Sequence, residues 1–527
     1  MFGSLDSLTA GPAGTPHRAT RSLSAAGLSL LLLLLSSCAS LPENYPKNPS
    51  TAFAEHDSTA IGKRLAEQAA EHPGESGFAI IRYGDVAFSA RVAMTRMATK
   101  SLDLQYYIWE PDDTGRILGK SLLDAADRGV RVRLLVDDMN TAGRDAMMAS
   151  LSHHPNIEIR IANPFANRGN SAFDFITDFD RVNHRMHNKV MVMDNTFVIV
   201  GGRNIGDHYF SVHTETNFRD LDISAVGPVV RQVSDIFDYF WNGKWSVPVE
   251  ALVDRPYTEK DLDNARATLA EHTANVDYPY TLESETTDIA EFMSSHDRTF
   301  VWAPGAMIWD DPAAIRTTGE ASEMIALFMK KLGKLKEELT IESAYLVAGE
   351  AGVEAVQALT DRGVKVRFLT NSLASNDVVA AHAGHAEYRK QLLQAGAEIY
   401  EVRPDAAGAD KNLNGTSRAG LHTKAIVFDR ESVVVGSFNL DPRSANINTE
   451  ASIYVESPEL AEQVLEYMDD GVKPENSYQV LLDEDGDLYW ITQKGGVEVR
   501  YDSEPETTLG QRLMSKIIEM LPVQSQL

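Results

Sequence analysis

Apolar residues follow first a helical and then a strand spacing around Gly129. Leu118, Leu122 and Ala125 recur at the spacing of one helix face. The glycine that follows is a natural C-cap position, and residues 130–136 form a run of valine, arginine and leucine that is typical of a strand. The pattern predicts a helix that ends near Gly129 and leads directly into a strand.

The same pattern occurs a second time further along the chain. Residues 127–135, DRGVRVRLL, match residues 361–369, DRGVKVRFL, and the strand-like residues 101–107 have a weaker counterpart at 339–345. Each copy therefore predicts the order strand, helix, glycine turn, strand. A repeat of alternating helices and strands predicts an α/β fold in two pseudo-symmetric halves.

A set of polar residues follows the repeat in both halves at identical offsets. The first copy consists of His187, Lys189, Asp194, Gly201, Gly202 and Asn204, and the second of His422, Lys424, Asp429, Gly436, Ser437 and Asn439. In each copy the histidine and the lysine stand two residues apart at the start of a strand-like run, which places both on one face. One such pair has little meaning, but two in register predict a single active site built from both halves.

A carboxylate follows each motif. Asp220 stands eight residues before Pro228, and Glu450 stands eight residues before Pro458, with a strand-like run between them in both cases. These two acidic residues are the best candidates to hydrogen-bond the outer imidazole nitrogens and orient the histidines.

Two imidazoles, two ammonium groups and two amides suit a phosphodiester substrate. Lysine and asparagine donors can surround the non-bridging oxygens and stabilise the charge of a five-coordinate transition state. One imidazole can attack phosphorus to form a phosphohistidine, while the other protonates the departing alkoxide and then deprotonates the incoming alcohol or water. This scheme requires no metal ion and no cofactor.

The net charge limits the class of partner. The chain has 49 basic and 76 acidic residues, for a formal charge of -27. A broad acidic surface repels nucleic acid, so no nucleic acid partner is expected. It does not exclude a small positive pocket, because a buried site responds to nearby charges more than to distant, screened ones.

The first 40 residues have the composition of an export signal. A basic head precedes an apolar run over residues 25–35 that is too short to span a bilayer, and the run ends in LSSC at Cys38, the only cysteine of the chain. This ending resembles the lipobox of bacterial lipoproteins, in which the peptide is cleaved before the cysteine and its thiol is lipidated. We therefore expect a membrane-anchored lipoprotein of the bacterial cell envelope that faces the periplasm; the alternative is a plain secretory signal.

Six segments follow from these patterns. They are a lipoprotein signal peptide (1–37), a tether (38–75), a first lobe (76–250), a connector (251–320), a second lobe (321–470) and a C-terminal extension (471–527). The connector has no counterpart in the other half and is expected to be a helix followed by an irregular segment. The extension is expected to contain a strand pair and an amphipathic helix, whose apolar face (Leu509, Leu513, Ile517 and Met520) packs on its own domain; the alternative is that this face packs on lipid.

The two complete His-x-Lys-x4-Asp-x6-Gly-(Gly/Ser)-x-Asn elements resemble the phospholipase D superfamily, and the resemblance covers roughly residues 76–470. It implies two α/β/α lobes that form one active site at their interface. It also implies one nucleophilic histidine, more often the N-terminal one and hence His187, with His422 as acid and base. The remaining roles that it implies are phosphate binding for Lys189, Lys424, Asn204 and Asn439, and a structural role for Asp194 and Asp429.

The first motif departs from the usual Gly-Ser pair of the superfamily. Because Gly202 stands where the second copy has Ser437, only Ser437 is expected to supply a hydroxyl near the phosphate. The two halves of the substrate-binding site are therefore expected to be unequal.

Residues 201–207, 217–222 and 521–527 look like the corresponding stretches of bacterial cardiolipin synthases of the C type. This resemblance implies phospholipid substrates and a phosphatidyltransferase that makes cardiolipin from phosphatidylglycerol and a second phospholipid. The alternatives are a hydrolytic phospholipase D, a nuclease, which the acidic surface disfavours, and a non-catalytic lipid-binding lipoprotein. The sequence leaves the donor lipid, the acceptor alcohol and any accessory protein open.

Overall fold

The computed structural model describes residues 40–141, 143–276, 278, 300–313, 322–406 and 417–520. The predicted signal peptide with Cys38 and the terminal residues 521–527 lie outside these ranges. No helix within them is both long and apolar enough to cross a membrane.

Twenty-one strands are present in the described residues. Those of the first half and the end of the connector are β1 (Ser76–Ile81), β2 (Ser101–Tyr106), β3 (Arg131–Asp137), β4 (Ile157–Ala162), β5 (Val190–Met193), β6 (Phe197–Gly201), β7 (Thr216–Arg219), β8 (Asp222–Val226), β9 (Ser246–Pro248) and β10 (Val301–Ala303). Those that follow are β11 (Gly305–Trp309), β12 (Glu338–Ser343), β13 (Lys365–Asn371), β14 (Glu398–Val402), β15 (Arg418–Leu421), β16 (Lys424–Phe428), β17 (Ser432–Gly436), β18 (Ala451–Glu456), β19 (Ser477–Leu482), β20 (Leu488–Lys494) and β21 (Val497–Tyr501).

The α-helices alternate with these strands. In the first half and the connector they are Ala60–Ala70, Gly84–Met97, Asp113–Asp127, Asp145–Ser152, Ala172–Thr177, Phe179–Val182, Pro228–Asn242 and Glu259–Asn275. In the second half and the extension they are Glu323–Leu332, Gly349–Thr360, Val379–Gln394, Pro442–Asn446, Pro458–Gly471 and Leu509–Glu519.

The strands form two large sheets with the same internal order. The first runs β10-β1-β8-β6-β5-β2-β3-β4-β9 and the second runs β11-β18-β17-β16-β12-β13-β14-β19-β20-β21. In each sheet three neighbouring strands, β2-β3-β4 or β12-β13-β14, are parallel. The strand that follows the motif histidine, β5 or β16, joins them in antiparallel orientation. The predicted α/β fold of two pseudo-symmetric lobes is confirmed.

The two sheets pack against each other through the strands that follow the motifs. Contacts between the halves join β17 to β6 and β8, and β18 to β6. One buried cluster contains Val198 and Ile223 of the first sheet together with Val433 and Ile453 of the second. A short parallel pair, β7 with β15, joins the halves a second time. This shared core fixes the motif of one lobe opposite that of the other.

The connector is more ordered than its composition indicated. Its last part forms β10, which pairs with β1, and β11, which pairs with β18. In the second sheet β11 occupies the position that β1 has in the first, so the prediction that this segment has no counterpart in the other half is wrong. The segment was predicted to be irregular because it combines two tryptophans with the acidic pair Asp310-Asp311 and Pro312.

The C-terminal extension adds to the second sheet rather than forming a separate pair of strands. β19 pairs with β14, and β20 and β21 extend the sheet beyond it. The predicted helix is present as Leu509–Glu519, but its apolar residues face outward, so the prediction that they pack on the domain is wrong. On its inward side the helix buries Ser515 and half-buries Ile518.

Candidate active site

Each motif histidine is held in place by the main chain of the opposite half. The main-chain N–H of His187 donates to the carbonyl oxygen of Thr449 at 2.9 Å, and that of His422 donates to the carbonyl oxygen of Arg219 at 2.8 Å. Both side chains are buried. The two lobes therefore build one site, because neither histidine is positioned by its own lobe alone.

The carboxylates that follow the motifs are exchanged between the halves. Nδ1 of His187 lies 2.9 Å and 3.0 Å from the carboxylate oxygens of Glu450, and Nδ1 of His422 lies 2.6 Å from Oδ2 of Asp220. With Nδ1 engaged by a carboxylate, Nε2 is the nitrogen that can attack phosphorus or carry a proton to it. The arrangement gives two imidazole–carboxylate pairs, each made of one residue from either lobe.

Gly202 and Ser437 contact the carboxylates of Asp220 and Glu450. The Ser437 hydroxyl donates to Glu450 at 2.5 Å and accepts from the Ala451 N–H at 2.9 Å, so its one donor is committed to the carboxylate. A Cβ on Gly202 would lie 2.2 Å from Oδ1 of Asp220. The expectation that Ser437 supplies a hydroxyl to the phosphate is therefore corrected: serine orients Glu450, and glycine leaves room for Asp220.

The two motif lysines are buried next to the histidines. Nζ of Lys189 donates to the carbonyl oxygen of His187 at 2.6 Å, and Nζ of Lys424 donates to that of His422 at 2.5 Å. Burial lowers the pKa of Lys189 well below its ordinary value and lowers the pKa of Lys424 to about 8. Two poorly solvated ammonium groups gain most when a phosphate anion enters and compensates their charge.

The two motif asparagines differ in their partners. Oδ1 of Asn204 accepts from the Ile108 N–H at 3.1 Å, and its Nδ2 donates to the Tyr209 hydroxyl at 3.0 Å. Oδ1 of Asn439 is buried and has no hydrogen-bond partner among the described residues. A buried unpaired amide is costly unless a ligand pairs with it, so the two halves offer unequal contacts to a substrate.

Asp194 and Asp429 bind main chain. The Asp194 carboxylate accepts from three successive N–H groups at the start of β2, those of Thr99, Lys100 and Ser101. Asp429 does the same at the start of β12, with the N–H groups of Lys336, Glu337 and Glu338. Both carboxylates fix the turn after the motif strand to the neighbouring parallel strand.

We expect Asp194→Ala to lower the free energy of unfolding by about 3 kcal/mol, because three main-chain N–H groups lose their acceptor. Denaturant unfolding measures this loss, and Asp180→Ala, at an exposed carboxylate of the same lobe, is the matched control. An Asp194→Ala chain that unfolds at the same denaturant concentration as the parent would contradict the structural role.

Burial is the main influence on the titrating groups of the site. It lowers the pKa of His187 and of His422 well below the ordinary value, and the two lysines lower both further. Burial raises the pKa of Asp220, and it raises the pKa of Glu450 to about 7. The free site thus favours neutral imidazoles, and an incoming phosphate anion favours protonation of one of them.

The pH dependence of kcat/KM is expected to be bell-shaped, with its maximum between about pH 7 and 8. Below about pH 7 Glu450 takes up a proton and no longer orients His187 as a carboxylate, and above about pH 8 Lys424 loses its charge. Lys424→Arg should remove the alkaline limb, because a guanidinium stays protonated. Rates measured across pH for the parent, Lys424→Arg and the exposed control Lys390→Arg test this; an alkaline limb that persists in Lys424→Arg would assign it to another group.

Three residues near the histidines were not assigned to the site from the sequence. The ring edges of Tyr107 and Tyr209 pack against His187 and His422, with ring centroids 4.9 Å and 5.1 Å apart. Oδ2 of Asp310, on the connector, accepts from the Glu450 N–H at 2.9 Å. Tyr107 ends the weaker repeat of the sequence, which was a usable signal, whereas no sequence match pointed to Asp310.

A metal site is not evident in the parts of the chain that the structure describes. Within those ranges no group of three or more histidine, cysteine, aspartate or glutamate side chains is arranged to hold a metal ion. The polar groups that converge where the lobes meet are the imidazoles, ammonium groups, amides and carboxylates of the two motifs.

Comparison with known proteins identifies the fold and the family. The profile of the family described as "Cardiolipin synthase, PLD-like domain" matches residues 92–241 and 328–471. Phosphatidylserine synthase of Haemophilus influenzae Rd KW20 has a similar structure, with a TM-score of 0.52 at 14% identity over 77% of this chain and 89% of that one. At that identity the likeness concerns the fold alone.

Two relatives align over nearly their whole length. The chain is 38% identical to cardiolipin synthase C of Escherichia coli (strain K12) over 461 residues, which are 86% of this chain and 97% of that protein. It is 31% identical over 499 residues to an uncharacterized protein of Helicobacter pylori, covering 94% of this chain and 98% of that one. The chain therefore belongs to the cardiolipin synthase family of the phospholipase D superfamily and is a phospholipase D-type phosphatidyltransferase that acts on phospholipids.

Proposed function

We propose that this enzyme makes cardiolipin by moving a phosphatidyl group from a donor phospholipid to a headgroup hydroxyl of phosphatidylglycerol through a phosphohistidine. The observation that carries the proposal is the pair of imidazole–carboxylate dyads, His187 with Glu450 and His422 with Asp220, beside two buried lysines. One dyad can act as nucleophile while the other acts as acid and then as base.

In the first step Nε2 of His187 attacks the phosphorus of the donor, and the bond from phosphorus to the headgroup oxygen breaks. His422, protonated in the presence of the anionic substrate, gives a proton from Nε2 to the departing alkoxide. Lys189 and Lys424 stabilise the charge on the non-bridging oxygens. The phosphatidyl group is then held on His187.

In the second step the glycerol hydroxyl of phosphatidylglycerol gives its proton to His422, and its oxygen attacks phosphorus. The phosphorus–nitrogen bond breaks, which restores His187 and releases cardiolipin. Water in place of the alcohol would give phosphatidic acid by the same route, so exclusion of water from the buried site favours transfer.

The same enzyme is proposed to be anchored at the periplasmic face of a bacterial membrane through lipidated Cys38. The support is the short apolar run that ends in LSSC at the only cysteine of the chain. Metabolic labelling of the cells with a radioactive fatty acid should mark the parent protein and leave Cys38→Ser unlabelled. Equal labelling of both proteins would contradict the anchor.

A mass-spectrometric lipid assay tests the activity. Purified enzyme is incubated with phosphatidylglycerol, alone and with phosphatidylethanolamine, beside His187→Ala, His422→Ala and the control His153→Ala, at an exposed histidine outside the site. Cardiolipin from the parent and the control, absent in both site variants, is the expected result. Phosphatidic acid without cardiolipin would identify a hydrolase, and unchanged lipids would contradict both.

A further inference from the structure

The C-terminal helix Leu509–Glu519 turns its apolar side toward solvent. Five large apolar side chains lie on its outer surface, with exposed fractions of 80% for Leu509, 62% for Leu513, 53% for Met514, 42% for Ile517 and 77% for Met520. At 100° per residue these five lie on one side of the helix. We call them the outer apolar face. Surface helices usually bury such a face against the core.

The inner side of the same helix buries Ser515 and half-buries Ile518. Ser515, opposite the outer apolar face, is buried, and Arg512 donates to the Ser503 hydroxyl at 2.8 Å. A capping box of Thr508 and Gln511 fixes the start of the helix. These contacts therefore orient helix Leu509–Glu519 with its apolar face toward solvent.

This helix packs on the second lobe. It packs against helix Val379–Gln394, whose start is marked by the exposed Asp377 and Val378. Asp377 accepts from the Tyr345 hydroxyl at 3.0 Å. Burial lowers the pKa of Lys424, and Asp220 and Asp377 partly oppose that effect, which places Asp377 within electrostatic reach of the motif lysine.

We propose that the outer apolar face docks on the surface of a phospholipid bilayer and holds the active site next to its lipid substrates. The inference rests on the proposed function insofar as those substrates reside in a bilayer. An amphipathic helix with a polar inner side and an apolar outer side binds in the interface between headgroups and acyl chains. The exposed Lys516 borders the face and can meet anionic headgroups, such as that of phosphatidylglycerol.

A bilayer fits this face better than a second copy of the chain. An eleven-residue helix is about 16 Å long and about 10 Å wide, which is far less than the ~800 Å² per partner typical of stable protein association. Interfacial insertion needs only one side of one helix.

A fluorescent probe on the full chain tests the docking. Cys38→Ser removes the native thiol, and Ile517→Cys is labelled with an environment-sensitive dye. Ala267→Cys, on the exposed side of the connector helix Glu259–Asn275, is the matched control. With vesicles of phosphatidylglycerol and phosphatidylcholine, emission at position 517 should shift to the blue and be quenched by brominated acyl chains. The probe at position 267 should change little.

Two outcomes would overturn the proposal. A probe at position 517 that stays water-exposed on vesicles would exclude insertion. A blue shift of the probe at position 517 without vesicles would also exclude insertion. If that shift grew with protein concentration, the face would bind a second copy of the chain. If it did not depend on concentration, the face would bind another part of the same chain.

Charged substitutions connect the docking to turnover. Leu513→Glu combined with Ile517→Glu should lower turnover on vesicles about tenfold or more, because two inserting side chains are lost. Turnover of a monomeric short-chain phosphatidylglycerol should stay at the parent level. An equal loss of turnover on both substrates would contradict docking. A parent enzyme that is inactive on both substrates would contradict the proposed function, and the probe measurement would then decide whether the helix docks.

Discussion

His187→Ala is expected to lower phosphatidyl transfer by roughly four orders of magnitude or more, because the residue that forms the covalent intermediate is removed. The loss should be the same with a natural phospholipid donor and with a p-nitrophenyl ester of phosphatidic acid. The ester has a leaving group that needs no proton, so it isolates attack on phosphorus from acid catalysis. Release of nitrophenolate, followed by absorbance, is the measurement.

His422→Ala should separate the two steps. With natural donors it loses general acid catalysis, at least about 10² to 10⁴-fold. With the nitrophenyl ester it should still release about one equivalent of nitrophenolate and then stop, because nothing deprotonates the acceptor. His153→Ala should match the parent throughout. A burst in His187→Ala and none in His422→Ala would reverse the roles of the two histidines.

Asp220→Asn and Glu450→Gln are expected to impair the histidine of the opposite lobe, each by roughly 10³-fold. Oδ1 of Asp220 accepts from the Leu221 N–H, so an asparagine there would turn its amide nitrogen toward Nδ1 of His422. Because the amide nitrogen is a donor, Nδ1 of His422 must then lack a proton, and the imidazole carries its proton on Nε2. A neutral His422 with a proton on Nε2 cannot act as a base from that nitrogen. Rates for the exposed control Asp235→Asn should equal those of the parent.

The nitrophenyl ester shows which histidine each carboxylate serves. Asp220→Asn should keep the initial burst, as His422→Ala does, and Glu450→Gln should lose it, as His187→Ala does. If Asp220→Asn resembled His187→Ala instead, each carboxylate would serve the histidine of its own lobe, and the exchange between the lobes would be disproved.

Repeated local patterns made the framework of the fold predictable. The helix before Gly129 ends at Asp127 and the next strand begins at Arg131, and Gly129 and Gly363 both adopt positive φ, at 93° and 83°. The motif histidines and lysines meet in one place because two copies of a short-range pattern occupy equivalent positions in two sheets. These features depend on residues that are close together in the sequence, and the spacing of apolar residues predicts such local structure well.

Features that depend on distant contacts were not predictable. Which carboxylate serves which histidine is decided by the packing of the lobes, across 202 residues for His422 and Asp220. Whether the Ser437 hydroxyl faces a phosphate or Glu450 depends on a strand that begins fourteen residues later, at Ala451. Amphipathicity indicates that Leu509–Glu519 has an apolar face, but the pattern does not say what covers it.

Mapping the covalent intermediate tests the central claim most directly. His422→Ala is mixed with the nitrophenyl ester, digested at neutral pH and sequenced by mass spectrometry. The account predicts one phosphatidyl group per chain, attached to His187, and none in the double variant His187→Ala with His422→Ala. A chain that releases nitrophenolate without any adduct, or with the adduct on another residue, would contradict a phosphohistidine formed at this site.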